Sequence, residues 1–311
     1  MNAYDQGYYI TEDGHELYYE QSGHPLGVPV LYLHGGPGAG LSEGYSEIFK
    51  DTPAIRLIAL DQRGAGNSRP LGSLHNNTLE YLINDLDELR KRLHIKDWFI
   101  YGGSWGSTLA LAYTCYYPQY VKGLNLWGIF FCNQKELEWL FYSAAPTMYA
   151  DVASILHQGI NKANLNVFLK SYQEAMDGPD FKQFCTNWLL WESFASEHPH
   201  TNYEELYQWS PSDYAIACAR IENHYFIQSP NIINNKSLEE LIARSTIICP
   251  VYITHGRNDL VTPSISALQL HELLPNSQLN IIDKSGHSLS HPNMMESIIK
   301  FGKELLQHNL D

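Results

Sequence analysis

Three features of this chain predict an α/β fold, a mostly parallel central sheet flanked by helices, with an inserted mainly helical cap. Short, near-continuously apolar strands alternate with helical stretches between residues 29 and 127 and again from 249 onward, the pattern of a parallel sheet covered on both faces. Between about 130 and 245 the strand signals vanish, and aromatic and acidic residues mix at helical spacing. A Gly-x-Ser-x-Gly run at 102–106 falls on one strand-to-helix junction.

In chain order, residues 8–33 hold alternating aromatic and apolar runs around the turn signal Asp13-Gly14, which predicts an opening hairpin. PVLYLH (29–34) and IRLIALD (55–61) read as buried strands that run into Gly-rich loops. LEYLINDLDELRKRLHI (79–95) places Leu79, Leu82, Ile83, Leu86, Leu89 and Leu93 on one face, with charges opposite, as an amphipathic helix does. WFIYGG (98–103) is a strand, TLALAYTCYY (108–117) a helix closed by Pro118, and VKGLNLW (121–127) a further strand. After the helical stretch come CPVYITH (249–255), the helix ISALQLHELL (265–274), the strand LNIID (279–283) and a closing helix near 294–308. The expected division is a core of 1–129 with 246–311, and a cap of 130–245.

Composition narrows the function. A 311-residue chain that is 44% hydrophobic can bury a sizeable core, which sets aside disordered, collagenous and disulfide-stapled classes. With 20 Lys and Arg against 34 Asp and Glu, the net charge of −14 repels phosphate backbones and anionic lipid. No nucleic-acid or membrane partner is therefore expected, and no apolar run approaches the roughly 18 residues of a span. Five scattered cysteines without a C-x-x-C pair, and an N-terminus lacking basic and apolar leader regions, point to a reducing cytoplasmic setting.

The chemistry centres on Ser104. A sharp strand-to-helix turn strains its backbone and requires glycine at 102 and 106, and it exposes Oγ above the sheet near the amides of a helix N-terminus. A serine hydroxyl needs a base, and the base needs an orienting group. In proteins with this strand–serine–helix turn the acid and the histidine follow on loops after late strands. Asp259 follows VYITHG and His287 follows LNIID, so both stand where that order places them. His271 lies inside a helical pattern, His291 one loop turn too far on, and Asp283 at a strand end, all with ordinary surface or capping roles. His255, beside the acid, reads as strand-end packing. His34-Gly35-Gly36-Pro37-Gly38 ends a strand where backbone must approach substrate. The oxyanion donors are accordingly assigned to the amides of Gly36 and of Trp105. His34 pins that loop, and Asp61-Gln62-Arg63-Gly64 braces it. No metal-ligand spacing and no nucleotide-binding glycine loop is present, and His198-x-His200 lacks a third ligand nearby in sequence. No cofactor and no metal is expected.

HGGPGAG (34–40), DQRGAGNSRP (61–70), GGSWGSTLALAY (102–113), WLLWE (188–192), ARIENHYF (219–226), HGRND (255–259) and SGHS (285–288) together resemble the prolyl aminopeptidases, or proline iminopeptidases. The resemblance runs from about residue 8 to the C-terminus and implies an α/β-hydrolase fold and a cofactor-free serine exopeptidase. Such an enzyme releases proline from short peptides with a free N-terminal proline. Carried over by position, it makes Ser104, Asp259 and His287 the triad. It makes Glu192 and Glu222 the carboxylates that grip the terminal amine, whose two N–H donors and one charge a carboxylate pair satisfies. It also makes Phe130 and Phe226 the aromatic lining around the pyrrolidine ring. The chain departs from the family at Trp127, where an Arg is usual, at Leu140-Phe141, where a Tyr is expected, and after Phe226, where a Gly-Phe stretch is missing. These changes imply a wider or differently shaped pocket that also takes alanine or another small N-terminal residue.

Two alternatives stand beside this reading. One is a capped esterase or amidase that ignores the terminal amine; the other is a catalytically silent ligand-binding protein on the same fold. Epoxide hydrolase or dehalogenase chemistry needs a carboxylate where this chain has Ser104.

Overall fold

The computed structural model describes residues 1–52, 54–208, 211–229 and 231–307. The hairpin expected around Asp13 is formed by β1 (Ala3–Ile10) and β2 (Glu16–Gly23), with Gly14 at φ 88° in the turn. Then follow β3 (Val28–Leu33), β4 (Ile55–Leu60), the helix α1 (Leu79–Arg92), β5 (Trp98–Gly103), α2 (Trp105–Tyr116) and β6 (Val121–Trp127). α1 stops short of the expected Ile95 because the chain turns at His94, whose φ is 53°.

Between β6 and the next strand the described residues hold only helices. These are α3 (Gln134–Phe141), α4 (Ala144–Met148), α5 (Ala150–Leu156), α6 (Leu165–Met176), α7 (Phe181–Glu197), α8 (Tyr203–Gln208), α9 (Asp213–Gln228) and α10 (Leu238–Arg244). Their starts are written in the sequence: the side chains of Asn133, Asn164, Ser212 and Ser237 each accept a first-turn amide, with Glu136 and Glu240 completing two capping boxes. β7 (Val251–Gly256), α11 (Ile265–Leu273), β8 (Gln278–Ile282) and α12 (Pro292–Gln307) end the fold. The last residue of the expected closing helix, His308, lies outside the described residues.

The eight strands form one sheet in the order β1-β2-β4-β3-β5-β6-β7-β8. Pairing is parallel from β4 through β8 and antiparallel only where β1 and β2 join. All six residues of β5 and of β7 are buried, as central strands covered on both faces must be. The C-terminal ends of β3, β5, β7 and β8 therefore open on the same edge of the sheet, and each carries one of the residues singled out above.

Where the chain leaves β6 for the helices, it is held by Glu136, a residue the sequence reading did not single out. Its buried carboxyl accepts the amides of Phe131 and Asn133 and the Ser266 hydroxyl. Burial pushes the group up to about 7, with Glu239 adding to the rise and those donors opposing it. A carboxyl raised in the fold contributes stability below its unfolded value of 4.5, and that contribution is lost as pH climbs through about 7, roughly 3 kcal/mol in all. The melting temperature of the wild type is thus expected to fall, relative to Glu136→Gln, between pH 4.5 and 7.5. Parallel curves for the two proteins would remove Glu136 from the pH dependence.

Candidate active site

The turn after β5 has the geometry that the Gly-x-Ser-x-Gly run predicts. Ser104 sits between β5 and α2 at φ 55° and ψ −125°, a backbone state that costs a non-glycine residue about 1–3 kcal/mol. A Cβ on Gly102 would collide with the Gly106 carbonyl, and one on Gly106 with the Leu33 carbonyl. Glycine at both places lets α2 press against β3 and turns the serine outward. No hydrogen bond engages Ser104 Oγ among the described residues, and such contacts commonly tighten only when substrate binds. α2 begins at Trp105 rather than at the expected Thr108, since Ser104 itself takes the position before the first helical residue.

Asp259 and His287 meet from the loops after β7 and β8. His287 Nδ1 lies 2.7 Å from Asp259 Oδ2. The other carboxylate oxygen accepts the Val261 and Thr262 amides at 2.9 and 2.8 Å, and the Thr262 hydroxyl donates to Oδ2. Burial alone would raise the Asp259 carboxyl, but His287, then His255, and the Thr262 amide outweigh it and hold the group below its ordinary value. A carboxylate that accepts four hydrogen bonds stays ionised inside the protein.

The other histidines singled out in the sequence, and the Asp61 loop, hold structure together. His255 is fully buried; Nδ1 accepts the Ile129 amide and Nε2 donates to the Thr262 carbonyl, so it ties two loops together as well as packing. His291 is buried rather than at the surface. It accepts the Gly286 amide at 2.7 Å and braces the His287 loop against the end of α7. His271 hydrogen-bonds Ser277, and Asp283 pairs with Arg257 at the surface. His200 faces His291 edge to face, while His198 meets the Tyr149 hydroxyl. Arg63 is buried between Asp85 and Asp13, the bracing expected of its loop.

The Gly36 and Trp105 amides, the two expected oxyanion donors, are bound to no acceptor among the described residues. Gly36 has φ 107°, a backbone state open to glycine. His34 pins this loop from inside, with Nδ1 donating to the Gly35 carbonyl and Nε2 accepting the Gln62 amide.

Glu192 on α7 and Glu222 on α9 converge from two helices. Glu222 is 4% exposed. Its carboxylate accepts the Trp188 indole N–H at 2.8 Å and the Cys218 thiol at 3.3 Å. Trp188 is one turn before Glu192, and Cys218 one turn before Glu222, so each glutamate shares a helix face with one of these supports. Burial raises both carboxyls; the charge of Glu222 adds to the rise at Glu192, while the bonds to Glu222 temper its own. The pair is thus poised to hold a shared proton or an incoming cation.

Phe130 and Phe226, the expected pyrrolidine lining, are both buried. They pack edge to face at 5.9 Å, and Phe226 continues into a buried cluster with Phe141 and Trp188. The cavity's apolar wall includes Trp127, Leu189, Val261 and Leu289. Trp127 fits against the elbow so closely that a Cβ on Gly103 would strike its indole.

One cavity of about 670 Å³ collects these parts: Ser104, His287, Gly36, Glu192 and Glu222 all line it. Fold and cavity define an α/β-hydrolase, and the family model described as alpha/beta hydrolase fold matches residues 28–293. Structures of a bromoperoxidase from Bacillus anthracis (TM-score 0.67, 18% identity, 97% of this chain and 100% of that one) and of a proline iminopeptidase-related protein from Thermus thermophilus (0.63, 21%, 99% and 98%) share the fold. Sequence relatives are more specific. Proline iminopeptidases from Arabidopsis thaliana (35% identical, 96% of this chain, 79% of the relative), Xylella fastidiosa (35%, 96% and 96%) and Neisseria meningitidis (34%, 99% and 98%) align over nearly the whole chain. The chain belongs to the proline iminopeptidase family and is an enzyme, a serine hydrolase of the α/β type. No helix among the described residues is long and apolar enough to cross a membrane.

Proposed function

We propose that this enzyme releases N-terminal proline from short peptides by way of a prolyl-enzyme ester. Ser104 Oγ attacks the carbonyl carbon of the first residue while His287 takes the hydroxyl proton. His287 then gives that proton to the departing amine as the C–N bond breaks. Asp259 keeps the imidazole proton on Nδ1 and stabilises the charged ring. The Gly36 and Trp105 amides hold the oxyanion, and water, deprotonated by His287, hydrolyses the ester and restores Ser104.

The observation that carries the exopeptidase reading is the buried Glu222 carboxylate, braced by Trp188 and Cys218 within the same cavity as Ser104. Two adjacent carboxylates, one of them buried, repel each other unless a proton or a cation sits between them, and a prolyl ammonium supplies that charge with two N–H donors. The helices of residues 130–245 act as the cap that carries this pair over Ser104, and a fixed distance between pair and serine limits cleavage to the first peptide bond. An apolar wall that includes Trp127 and Leu189, with Phe130 and Phe226 as the lining of the pyrrolidine ring, favours proline while leaving room for alanine.

Glu222→Gln tests the reading. On a proline anilide kcat/KM is expected to fall about 10–150-fold, the worth of a hydrogen bond to a charged group. Hydrolysis of a short acyl ester without an amine should stay within a few-fold of wild type. An equal loss on both substrates would make Glu222 a structural residue, and no loss on either would leave a capped esterase with an incidental acidic pair.

A further inference from the structure

We infer that Gln62 is the positioning residue that sets the spacing of the two oxyanion donors, a role that rests on assigning those donors to the amides of Gly36 and Trp105. Gln62 lies two residues beyond β4 and is 2% exposed. Its Oε1 accepts the Trp105 indole N–H at 2.9 Å, and its Nε2 donates to the His34 carbonyl at 3.0 Å. An indole N–H can only donate and a carbonyl can only accept, so the primary amide has a single workable orientation. The Gln62 backbone amide also donates to His34 Nε2 at 3.0 Å, which leaves the His34 proton on Nδ1 for the Gly35 carbonyl.

One residue therefore holds both sides of the proposed oxyanion site. His34 and Gly35, the two residues before Gly36, hang on Gln62 from the β3 side. Trp105, whose own backbone amide is the second donor, hangs on it from the α2 side. The indole is fully buried and packs against the Tyr225 ring at 4.6 Å, and Tyr225 is anchored to Asn77. With the ring fixed, the bond to Gln62 transmits the position of the β3 loop to the first turn of α2. Loss of a whole oxyanion donor costs about 10²–10³ in kcat, and donors left about 1 Å astray cost up to about 10².

The test compares wild type with Gln62→Leu, which keeps size and removes both polar ends, and with Gln62→Glu. The second variant still accepts the indole N–H but cannot donate to His34, and it nearly keeps the shape if the leucine protein does not fold. The readouts are kcat and KM on a proline anilide and the inhibition constant of a boronic acid analogue of proline, whose boron becomes tetrahedral on Ser104. In either folded variant kcat is expected to fall about 10–100-fold, boronate affinity to fall by a similar factor, and KM to stay within about two-fold. A purely structural role would lower kcat only in proportion to folded protein and leave boronate affinity alone, which overturns the inference. If wild type binds the boronate no better than free proline, the oxyanion assignment fails and the role of Gln62 with it. If wild type binds it tightly and the Gln62 variants do too, only the role of Gln62 fails.

Discussion

Replacing Ser104 with alanine is expected to lower kcat about a million-fold without weakening the fold. The rate loss follows from removing the proposed nucleophile, and single deletions of a triad serine cost about as much as removing the triad. Stability should hold because alanine keeps the Cβ that already tolerates φ 55°, and because Oγ has no hydrogen bond among the described residues to lose. A polar group facing a cavity without a partner adds little, so the melting temperature is expected to stay level or rise slightly. The checks are long-incubation kinetics, thermal melting, and labelling by an organophosphonate, which should mark wild type and not the variant. Activity within a hundred-fold of wild type would move the nucleophile elsewhere.

Asp259→Asn should lower kcat about ten-thousand-fold, for a different reason. Asparagine can still accept the Val261 and Thr262 amides through its one oxygen. Its NH2 then faces His287 Nδ1, where the carboxylate had accepted a proton donor at 2.7 Å. The imidazole is pushed to the tautomer with its proton on Nε2 and can no longer take one from Ser104. The sign of the acid dependence is fixed as well. A carboxyl lowered in the fold contributes above its ordinary value of 3.8 and loses that contribution only as pH falls through a still lower value. Asp259 is therefore expected to leave no inflection in kcat/KM between pH 5 and 9. A loss below about ten-fold in the asparagine variant would contradict the orienting role.

The parts of the site that the sequence made legible are those fixed by local backbone chemistry. The glycine at 102 is demanded by a contact within one turn of Ser104 and the one at 106 by the Leu33 carbonyl, and Asp259 and His287 are marked by loops that end strands. The carboxyl pair entered through resemblance, since a glutamate on a helix carries no mark of the face it occupies until a partner helix is placed. The sequence marks neither Trp188 nor Cys218 as a support, and it marks Gln62 only as part of a bracing loop: Gln62 reaches Trp105 across 43 residues and Trp188 reaches Glu222 across 34, spans that no local pattern encodes. The sequence pattern starts α2 three residues late, at Thr108, because the low helix propensity of Gly106 hides a helix imposed by the turn.

The central claim is that this hydrolase reads a free amino terminus with Glu192 and Glu222 before Ser104 acts. Its most direct test is kcat/KM of the wild type on a proline anilide beside the N-acetylated compound, with an alanine anilide for comparison. Rapid cleavage of the free proline compound, slower cleavage of alanine and no measurable cleavage of the acetylated one is the predicted result. Comparable rates with and without the acetyl group would contradict amine recognition and leave the protein an amidase or esterase of the same fold.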